Sequence, residues 1–306
     1  MKYFRLPHTD LEVSRIALGC MRIADKSVEE VEMLVKTAID QGINFFDHAD
    51  IYGGGKSEQV FGEVLKRNPE LRDQMIIQTK CAIIPGKRYD FSKEHIISSV
   101  EKSLKRLHTD HVEILLLHRP DALCDPKEVA EALDELYDRK MVRYFGVSNH
   151  TPLQIQLLQK YTKHPIIINQ LQLSIVHSVM IDSGLNMNMK ETWAQDKDGG
   201  VLDYCRLHDI TIQPWSVVQA SWAEGTFLDH PDYKELNAVM QSLADEYHVT
   251  KSAIAVAWLL RHPACMQPIV GTTSPTHLIE SCQATEVELT RQQWYDLYLA
   301  GGKPLP

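Results

Sequence analysis

The sequence predicts a (β/α)8 barrel, the TIM-barrel architecture, with long loops on the face where the strands end. The chain has 306 residues, enough for one large α/β unit. Eight short apolar runs alternate with eight stretches of helical periodicity. The glycine pattern that is typical of the competing doubly wound fold does not follow the first run. We therefore expect residues 1–306 to form a single barrel domain.

The composition indicates a soluble globular protein, with 44% hydrophobic and 24% charged residues. The formal net charge is −9, which argues against nucleic acid as a main partner. The six cysteines form no C-x-x-C pair and the histidines form no H-E-x-x-H pattern, so we predict no metal. The N-terminus lacks an apolar segment and runs such as 114–117 are too short to cross a bilayer, which predicts a cytoplasmic protein with no membrane partner.

The strand candidates are apolar, β-branched or aromatic runs that end in small or polar residues. They are residues 15–19, 44–49, 76–81, 113–118, 144–149, 167–173, 211–216 and 268–271. Because a helical stretch follows each run, the strands should be parallel, which leaves a closed barrel or a doubly wound sheet.

The helix candidates show apolar residues at helical spacing. They are residues 28–41, 57–66, 92–107, 126–139, 152–160, 200–207, 233–247 and 276–283. Ser27 and Ser92 are N-cap candidates with a glutamate in the first turn, and Asp125 and Thr151 each precede a proline at the first helical position.

The glycines after the second strand also lack the pattern of the doubly wound fold, and two long segments are irregular within the βα alternation. Residues 53–55 are three glycines after the second strand, without dinucleotide-binding spacing, and they predict only a turn. Residues 174–199 and 221–232 are longer than most βα connections. In a barrel both would lie on the C-terminal face, where long loops form lids or substrate walls.

Polar residues follow several strands at their C-terminal ends, where barrel enzymes carry catalytic side chains. They are Asp47, Tyr52, Lys80, His118, Ser148, Asn149, Asn169 and Gln170. An aspartate, a lysine and a histidine on adjacent strands would meet in one small volume, which is unfavourable unless they are paired. We expect Lys80 to lower the pKa of Tyr52 from about 10, Asp47 to hold Lys80, and His118 to donate to the reacting oxygen.

Such a site can protonate a carbonyl oxygen while hydride arrives at the carbon. The segment G-I-N-F-F-D-H-A-D-I-Y-G at 42–53 resembles the signature of the aldo-keto reductases, which are (β/α)8 barrels that reduce carbonyls with NADPH. Lys80, His118, the G-V-S-N segment at 146–149, Asn169 with Gln170 and the segment 268–281 follow in that family's order. The resemblance extends from the second strand to the last βα unit.

The resemblance implies that Tyr52 is the proton donor in a tetrad with Asp47, Lys80 and His118. It implies a cofactor, NADPH with NADH not excluded, that is bound by a set of residues at several strand ends. These are Met21, Ser148, Asn149, Gln170, Trp215, Ser216, Val217, Thr272, Thr273, Ser274, His277, Glu280 and Ser281. Within this set Ser148, Asn149 and Gln170 would hold the carboxamide and Trp215 would stack on the nicotinamide.

The chain departs from the family pattern at two places that bear on function. The segment 272–277 offers only His277 as a cation for a 2′-phosphate, where many relatives have lysine or arginine. His48 stands where threonine is more usual. Neither change removes a tetrad residue.

Several residues have a structural interpretation beside the functional one. Trp215 could pack at the barrel rim, and Met187, Met189 and Trp193 could form a substrate wall or simply pack in the loop. Four residues are candidate pocket liners by position alone: Met21, Arg22, Arg119 and Trp222.

The leading function is NADP-dependent reduction of an aldehyde or ketone to an alcohol, with a small carbonyl compound as substrate. Two alternatives are a Schiff-base lyase that uses Lys80 as nucleophile and a cofactor-binding regulatory or scaffold subunit with little turnover. The pairing of Asp47 with Lys80 argues against the lyase, because a paired lysine stays protonated.

Overall fold

Eight parallel strands form a barrel that is surrounded by helices, in a computed structural model that describes residues 1–190 and 194–305. The strands are β1 (Ala17–Gly19), β2 (Phe45–Asp47), β3 (Ile76–Cys81), β4 (Val112–Leu117), β5 (Val142–Ser148), β6 (Ile166–Gln172), β7 (Thr211–Trp215) and β8 (Ile269–Val270). Their order in the sheet is β7-β6-β5-β4-β3-β2-β1-β8. The amide of Gln267, just before β8, donates to the Ile212 carbonyl on β7 at 3.0 Å, which brings the two edges together. The predicted barrel is confirmed.

The helices that the structure describes lie outside the strands. They are α1 (Val28–Asp40), α2 (Lys56–Arg67), α3 (Lys93–Leu107), α4 (Pro126–Asp138), α5 (Pro152–Gln159), α6 (Val179–Leu185), α7 (Val201–Leu207), α8 (Lys234–Tyr247), α9 (Lys251–Leu260), α10 (Pro275–Cys282) and α11 (Arg291–Ala300). None of them is long and apolar enough to cross a membrane. Each predicted helix overlaps one of these within a few residues.

The predicted helix caps are present. Ser27 accepts from the amide of Glu30, whose carboxylate accepts from the Ser27 amide, and Thr151 forms the same reciprocal pair with Gln154. Ser92 and Asp125 also accept from first-turn amides. These bonds satisfy amides that have no partner within the helix, so the sequence itself defines where the helices begin.

Three helices were not predicted. α9 is apolar around its whole circumference, because residues 253–259 are all buried, and it therefore lacks the polar face that marks an amphipathic helix. α6 lies inside the polar segment 174–199, and α11 follows the last predicted unit. The segment 174–199 is therefore partly helical rather than a plain loop.

Side chains alternate between the barrel interior and the layer under the helices. On β2, Phe45 and Asp47 share the side opposite to Phe46, because successive strand residues point to opposite faces. Phe45 packs with Ile114 and other apolar side chains in the lower barrel interior. The strands Tyr3–Arg5 and Glu12–Ser14 form an antiparallel hairpin. Leu6, Leu11 and Val13 from this hairpin region join the interior cluster and close the N-terminal end of the barrel.

Gly62 allows α2 to pack directly against α3. A Cβ at Gly62 would overlap the backbone carbonyl oxygen of Arg106, and backbone cannot move aside as a flexible side chain can. Gly184 on α6 provides a contrast, since a Cβ there would meet open space.

We predict that Gly62→Ala destabilises the protein by roughly 2 kcal/mol or more, because it overpacks a helix contact. Gly184→Ala is the matched control and should be neutral or stabilising by about 0.5–1 kcal/mol, since alanine favours a helix over glycine. Thermal unfolding of both variants and wild type measures the effect. Equal unfolding temperatures for the two variants would contradict the packing argument.

Candidate active site

Lys80 lies at the centre of a buried cluster at the C-terminal end of the barrel. It is fully buried, and its Nζ lies 2.8 Å from both Asp47 Oδ1 and Asp47 Oδ2, 2.8 Å from the His48 carbonyl oxygen and 3.0 Å from Tyr52 Oη. The pairing follows from strand register, since β2 and β3 are parallel neighbours with Asp47 opposite Gln78. Lys80 is two residues beyond Gln78 and points to the same side.

The ammonium of Lys80 stays charged in this cluster. Burial alone would lower the pKa of Lys80, but Asp47 and the Tyr52 hydroxyl outweigh it and the pKa is raised. A protonated lysine cannot attack a carbonyl carbon, because its lone pair is occupied. The site therefore does not favour the Schiff-base alternative.

Tyr52 lies over the same ammonium, but its pKa moves in the direction opposite to expectation. Burial raises the pKa of Tyr52 above its ordinary value, and Lys80 opposes this without reversing it, while Asp47 adds to the rise. The expectation of a lowered pKa was wrong because the sequence pattern shows the cation but not the depth of burial. Tyr52 is therefore a neutral phenol that can donate a proton.

His118 follows β4 and lies beside Tyr52. The two ring centroids are 5.9 Å apart, with the rings at 84° to each other. Burial, together with Lys80 and Arg119, lowers the pKa of His118 well below its ordinary value, so the imidazole is neutral. Its Nδ1 is buried without a hydrogen-bond partner among the described residues. The structure thus brings Asp47, Lys80, Tyr52 and His118 together.

The loop between β2 and α2 that carries Tyr52 is held by glycines. Gly53, Gly54 and Gly55 all have positive φ, at 57°, 65° and 91°. This is the left-handed region that glycine adopts most readily, so the predicted turn is present and Tyr52 begins it. A Cβ at Gly53 would also overlap the side chain of Ala24.

A second group of charges, centred on the fully buried Glu58, supports this loop from behind. Arg106 Nε donates to Glu58 Oε2 at 2.7 Å, and Glu58 Oε1 accepts from Thr79 Oγ1 at 2.6 Å. Asp50 lies close to this pair, and burial together with Glu58 raises the pKa of Asp50 to about 7. The sequence analysis did not single out this group.

The predicted carboxamide-binding residues lie together at the ends of β5 and β6. Ser148 Oγ donates to the Gln170 carbonyl oxygen at 2.9 Å, and the Asn149 amide donates to the same carbonyl at 3.0 Å. Asn149 Nδ2 donates to Ser148 Oγ at 2.8 Å. Gln170 Nε2 donates to Asp47 Oδ1 at 3.0 Å, which joins this group to the lysine cluster. With its N–H groups used inside the barrel, Gln170 can offer a ligand only its acceptor oxygen.

Trp215 ends β7 next to this group and is half-buried, which leaves part of its ring available for contact. Ser216 has a positive φ of 57°, and its hydroxyl donates to Gln219 Oε1 at 2.8 Å. Val217 is buried. The three residues therefore lie where β7 leaves the barrel, on the face that carries Tyr52.

The segment after β8 forms the start of α10. Ser274 caps this helix by accepting from the His277 amide, and the Ser274 amide donates to Thr272 Oγ1 at 3.1 Å. Ser281 Oγ donates to the His277 carbonyl oxygen at 2.8 Å, while Thr273 and Glu280 are partly exposed. The N-terminus of α10 provides a partial positive charge.

The remaining rim residues divide by exposure. Met21 and Arg119 are partly buried, whereas Arg22, Met187 and Trp222 are exposed, with 69% of Met187 and 70% of Trp222 accessible. Met189 is partly buried. Trp193 lies outside the described residues.

Three glutamines that reach the Asp47 cluster were missed in the sequence analysis. They are Gln78, Gln213 and Gln267, all fully buried. The position of Gln78, two residues before Lys80 on one strand, was the available signal, because both must face the barrel interior.

His48 also contributes through its backbone carbonyl. Burial lowers the pKa of its side chain to about 3, and neither ring nitrogen has a hydrogen-bond partner among the described residues.

Comparison with known proteins places this chain in a family. The sequence model of the Aldo/keto reductase family matches residues 15–298. A 6-dehydroglucose reductase from Agrobacterium fabrum is 37% identical in an alignment that covers 96% of this chain and 96% of the relative. The oxidoreductase YdhF from Escherichia coli (strain K12) is 34% identical, over 93% of this chain and 92% of the relative.

A solved structure shows the same architecture. The thermostable aldo-keto reductase Tm1743, crystallised with the inhibitor epalrestat, superposes with a TM-score of 0.78 and 26% identity, over 98% of this chain and all of that one. These relatives are oxidoreductases, and none of them favours a scaffold without turnover. The chain belongs to the aldo-keto reductase family and is a carbonyl-reducing oxidoreductase that uses a nicotinamide cofactor.

Proposed function

We propose that this protein reduces an aldehyde or ketone with NADPH, and that Tyr52 is the general acid. The observation that carries the proposal is the contact of Lys80 Nζ with Tyr52 Oη at 3.0 Å. The charge of this ammonium is balanced by the Asp47 carboxylate. When bound, the cofactor would supply the hydride that the carbonyl carbon takes up. The chain supplies the proton at Tyr52 Oη, which the carbonyl oxygen takes up as it becomes an alcohol oxygen.

The neighbours of Tyr52 support this role by their charge. Lys80 stabilises the phenolate that remains after proton transfer, and Asp47 keeps Lys80 protonated through the cycle. Neutral His118 can donate one hydrogen bond to the carbonyl oxygen, which polarises it and orients it toward Tyr52.

The residues at the strand ends fit a nicotinamide cofactor. Gln170 offers an acceptor and Asn149 a side-chain amide, which match the donor and acceptor of a carboxamide, and the exposed part of the Trp215 ring suits the face of an aromatic ring. The partial positive charge at the N-terminus of α10 suits the phosphate of the adenosine end. We assign Met21, Ser216, Val217 and the residues after β8 to the same cofactor.

The substrate class follows less directly from the chain. The name of the Agrobacterium relative makes a sugar that carries a carbonyl group a substrate to test. A panel of 6-dehydroglucose, simple aldehydes and ketones, each with NADPH and with NADH, tests the proposal and identifies the preferred pair.

We predict that Tyr52→Phe lowers the reduction rate by roughly 10²–10⁴-fold, the contribution typical of a general acid. Cofactor affinity should stay within about twofold, since Lys80 and the strand-end residues remain in place. Single-turnover absorbance and fluorescence titration measure the two quantities. Tyr137→Phe, at an exposed tyrosine on α4, is the matched control and should behave as wild type. Full activity in Tyr52→Phe would refute the proposed acid.

The pH dependence of the chemical step should reflect the raised pKa of Tyr52. The protonated phenol is the acid, so reduction falls as pH rises through that pKa, which lies above the ordinary tyrosine value of about 10. Oxidation of the alcohol needs the phenolate and should increase over the same range. Single-turnover rates at saturating cofactor from pH 6 to 11 measure both directions.

His118 and Asp50 determine the expected pH dependence of the reduction rate below the pKa of Tyr52. Because the pKa of His118 lies well below its ordinary value, no histidine limb is expected between pH 6 and 8. Any inflection near pH 7 should disappear in Asp50→Asn, since the pKa of Asp50 is about 7. A break in the reduction rate below pH 9 that survives in this variant would contradict the assignment.

We predict that His277→Arg tightens NADPH binding by roughly tenfold and leaves NADH binding unchanged. A guanidinium can form charge-assisted hydrogen bonds with a 2′-phosphate, which NADH lacks, and such bonds are worth about 1.5–3 kcal/mol. Fluorescence titrations of both cofactors measure the change, with His277→Gln as the neutral control. No change in either affinity would place the adenosine end away from α10.

A further inference from the structure

A chain of buried glutamines runs through the barrel beneath Asp47. Gln78 and Gln170 both donate to Asp47 Oδ1, at 2.6 and 3.0 Å, and both also donate to Gln213 Oε1, at 2.9 and 3.1 Å. Gln213 Nε2 donates to Gln267 Oε1 at 2.8 Å. Gln267 Nε2 donates to the Ser14 carbonyl oxygen at 2.8 Å, at the end of the N-terminal hairpin.

The direction of every amide in this chain is fixed by its two ends. The Ser14 carbonyl and the Asp47 carboxylate can only accept, so an N–H must point toward each of them. Gln267 must therefore present its oxygen to Gln213, and Gln213 must present its oxygen to Gln78 and Gln170. If the side-chain amide of Gln213 alone were reversed, its oxygen would face the oxygen of Gln267. Its N–H groups would then face the N–H groups of Gln78 and Gln170.

The side-chain oxygen of Gln78, which has no donor among the described residues, shows that the arrangement favours the bond from Gln78 to Asp47. Gln78 Oε1 is buried without a partner among the described residues, while its nitrogen donates twice. A buried unsatisfied acceptor is unfavourable by about 1–3 kcal/mol. The orientation of Gln78 thus preserves its hydrogen bond to Asp47 although its own carbonyl oxygen is left without a donor from the described part of the chain.

Packing alone does not account for these residues. The lower barrel interior is filled by apolar side chains such as Phe45, Ile114 and Ile269, which need no partners. Buried amides are tolerated only when their hydrogen bonds are nearly complete. Filling the same space with glutamines is therefore less favourable in free energy than filling it with apolar side chains, unless those bonds form.

We propose that Gln78, Gln213 and Gln267 are positioning residues for the reaction. Through their hydrogen bonds they hold the Asp47 carboxylate in one orientation, with both oxygens 2.8 Å from Lys80 Nζ, and so hold that ammonium against Tyr52 Oη. This inference rests on the proposed role of Tyr52 as the acid. The chain acts through neutral donors, which fix the carboxylate without adding a charge that would compete with Lys80.

Gln213→Met tests the central link, because methionine keeps the length of the side chain and removes its hydrogen bonds. Single-turnover reduction at saturating cofactor should fall by roughly tenfold to a hundredfold, as small displacements of catalytic groups do. The dissociation constant of the cofactor should change by less than about twofold, so the loss appears in the rate and not in binding. Ile114→Val, in the apolar interior, is the control for barrel disturbance and should keep the wild-type rate.

The double variant Tyr52→Phe with Gln213→Met separates positioning from general damage. If Gln213 acts through Tyr52, the double variant should react at the rate of Tyr52→Phe alone, because no acid remains to be positioned. A further loss of the same factor in the double variant would overturn the proposal. Gln267→Met, one step farther from Asp47, should show a smaller loss with the same non-additivity, and it replaces Gln213→Met if that variant does not fold.

The outcomes also separate this inference from the proposed function. Full activity in Tyr52→Phe would refute the acid and the inference with it. Loss of activity in Tyr52→Phe with wild-type rates in both Gln213→Met and Gln267→Met would refute the glutamine chain alone.

Discussion

The buried ammonium of Lys80 is the constraint on which the candidate site depends. A cation that is fully buried must be paired and fully hydrogen-bonded, and Asp47, the His48 carbonyl and Tyr52 together provide its acceptors. The parallel register of β2 and β3 places the carboxylate on the same side of the barrel as the amine. The glycine turn at residues 53–55 then returns the chain to begin α2, with Tyr52 at its start. The arrangement of the site thus follows from the need to pair one buried charge.

Burial explains the protonation states as well as the pairing. It opposes charge on each of these side chains, and for Lys80 the neighbouring Asp47 carboxylate reverses the effect, so the pKa of Lys80 rises although burial would lower it. Tyr52 and His118 face the same cation, which cannot outweigh burial for the phenol and adds to its effect for the imidazole. The site therefore holds the Lys80 cation paired with the Asp47 carboxylate, a neutral phenol and a neutral imidazole. This combination favours proton donation and disfavours attack by the amine.

The barrel and the residues at its strand ends could be predicted because they depend on local patterns. Alternating apolar runs and capped helices identify βα units, and a polar residue at a strand end must lie on one face whatever the details of packing. The direction of the Tyr52 pKa shift could not be predicted, because it depends on how deeply the hydroxyl is buried. Gln213 and Gln267 could not be recognised either, since each is significant only through partners on distant strands. α9 was missed because a helix that is buried on all sides has no amphipathic pattern.

The glutamine chain shows how the closed end of the barrel is connected to its open end. The apolar hairpin residues Leu6, Leu11 and Val13 seal the bottom, and the Ser14 carbonyl beside them is the final acceptor of the chain. From there each amide orients the next, until two donors reach one oxygen of Asp47. An amide has one donor end and one acceptor end, so each glutamine in the chain fixes the orientation of the next. Apolar packing constrains only the shape of neighbouring side chains. The N-terminal hairpin therefore defines the polarity of a network whose other end is the carboxylate that holds Lys80.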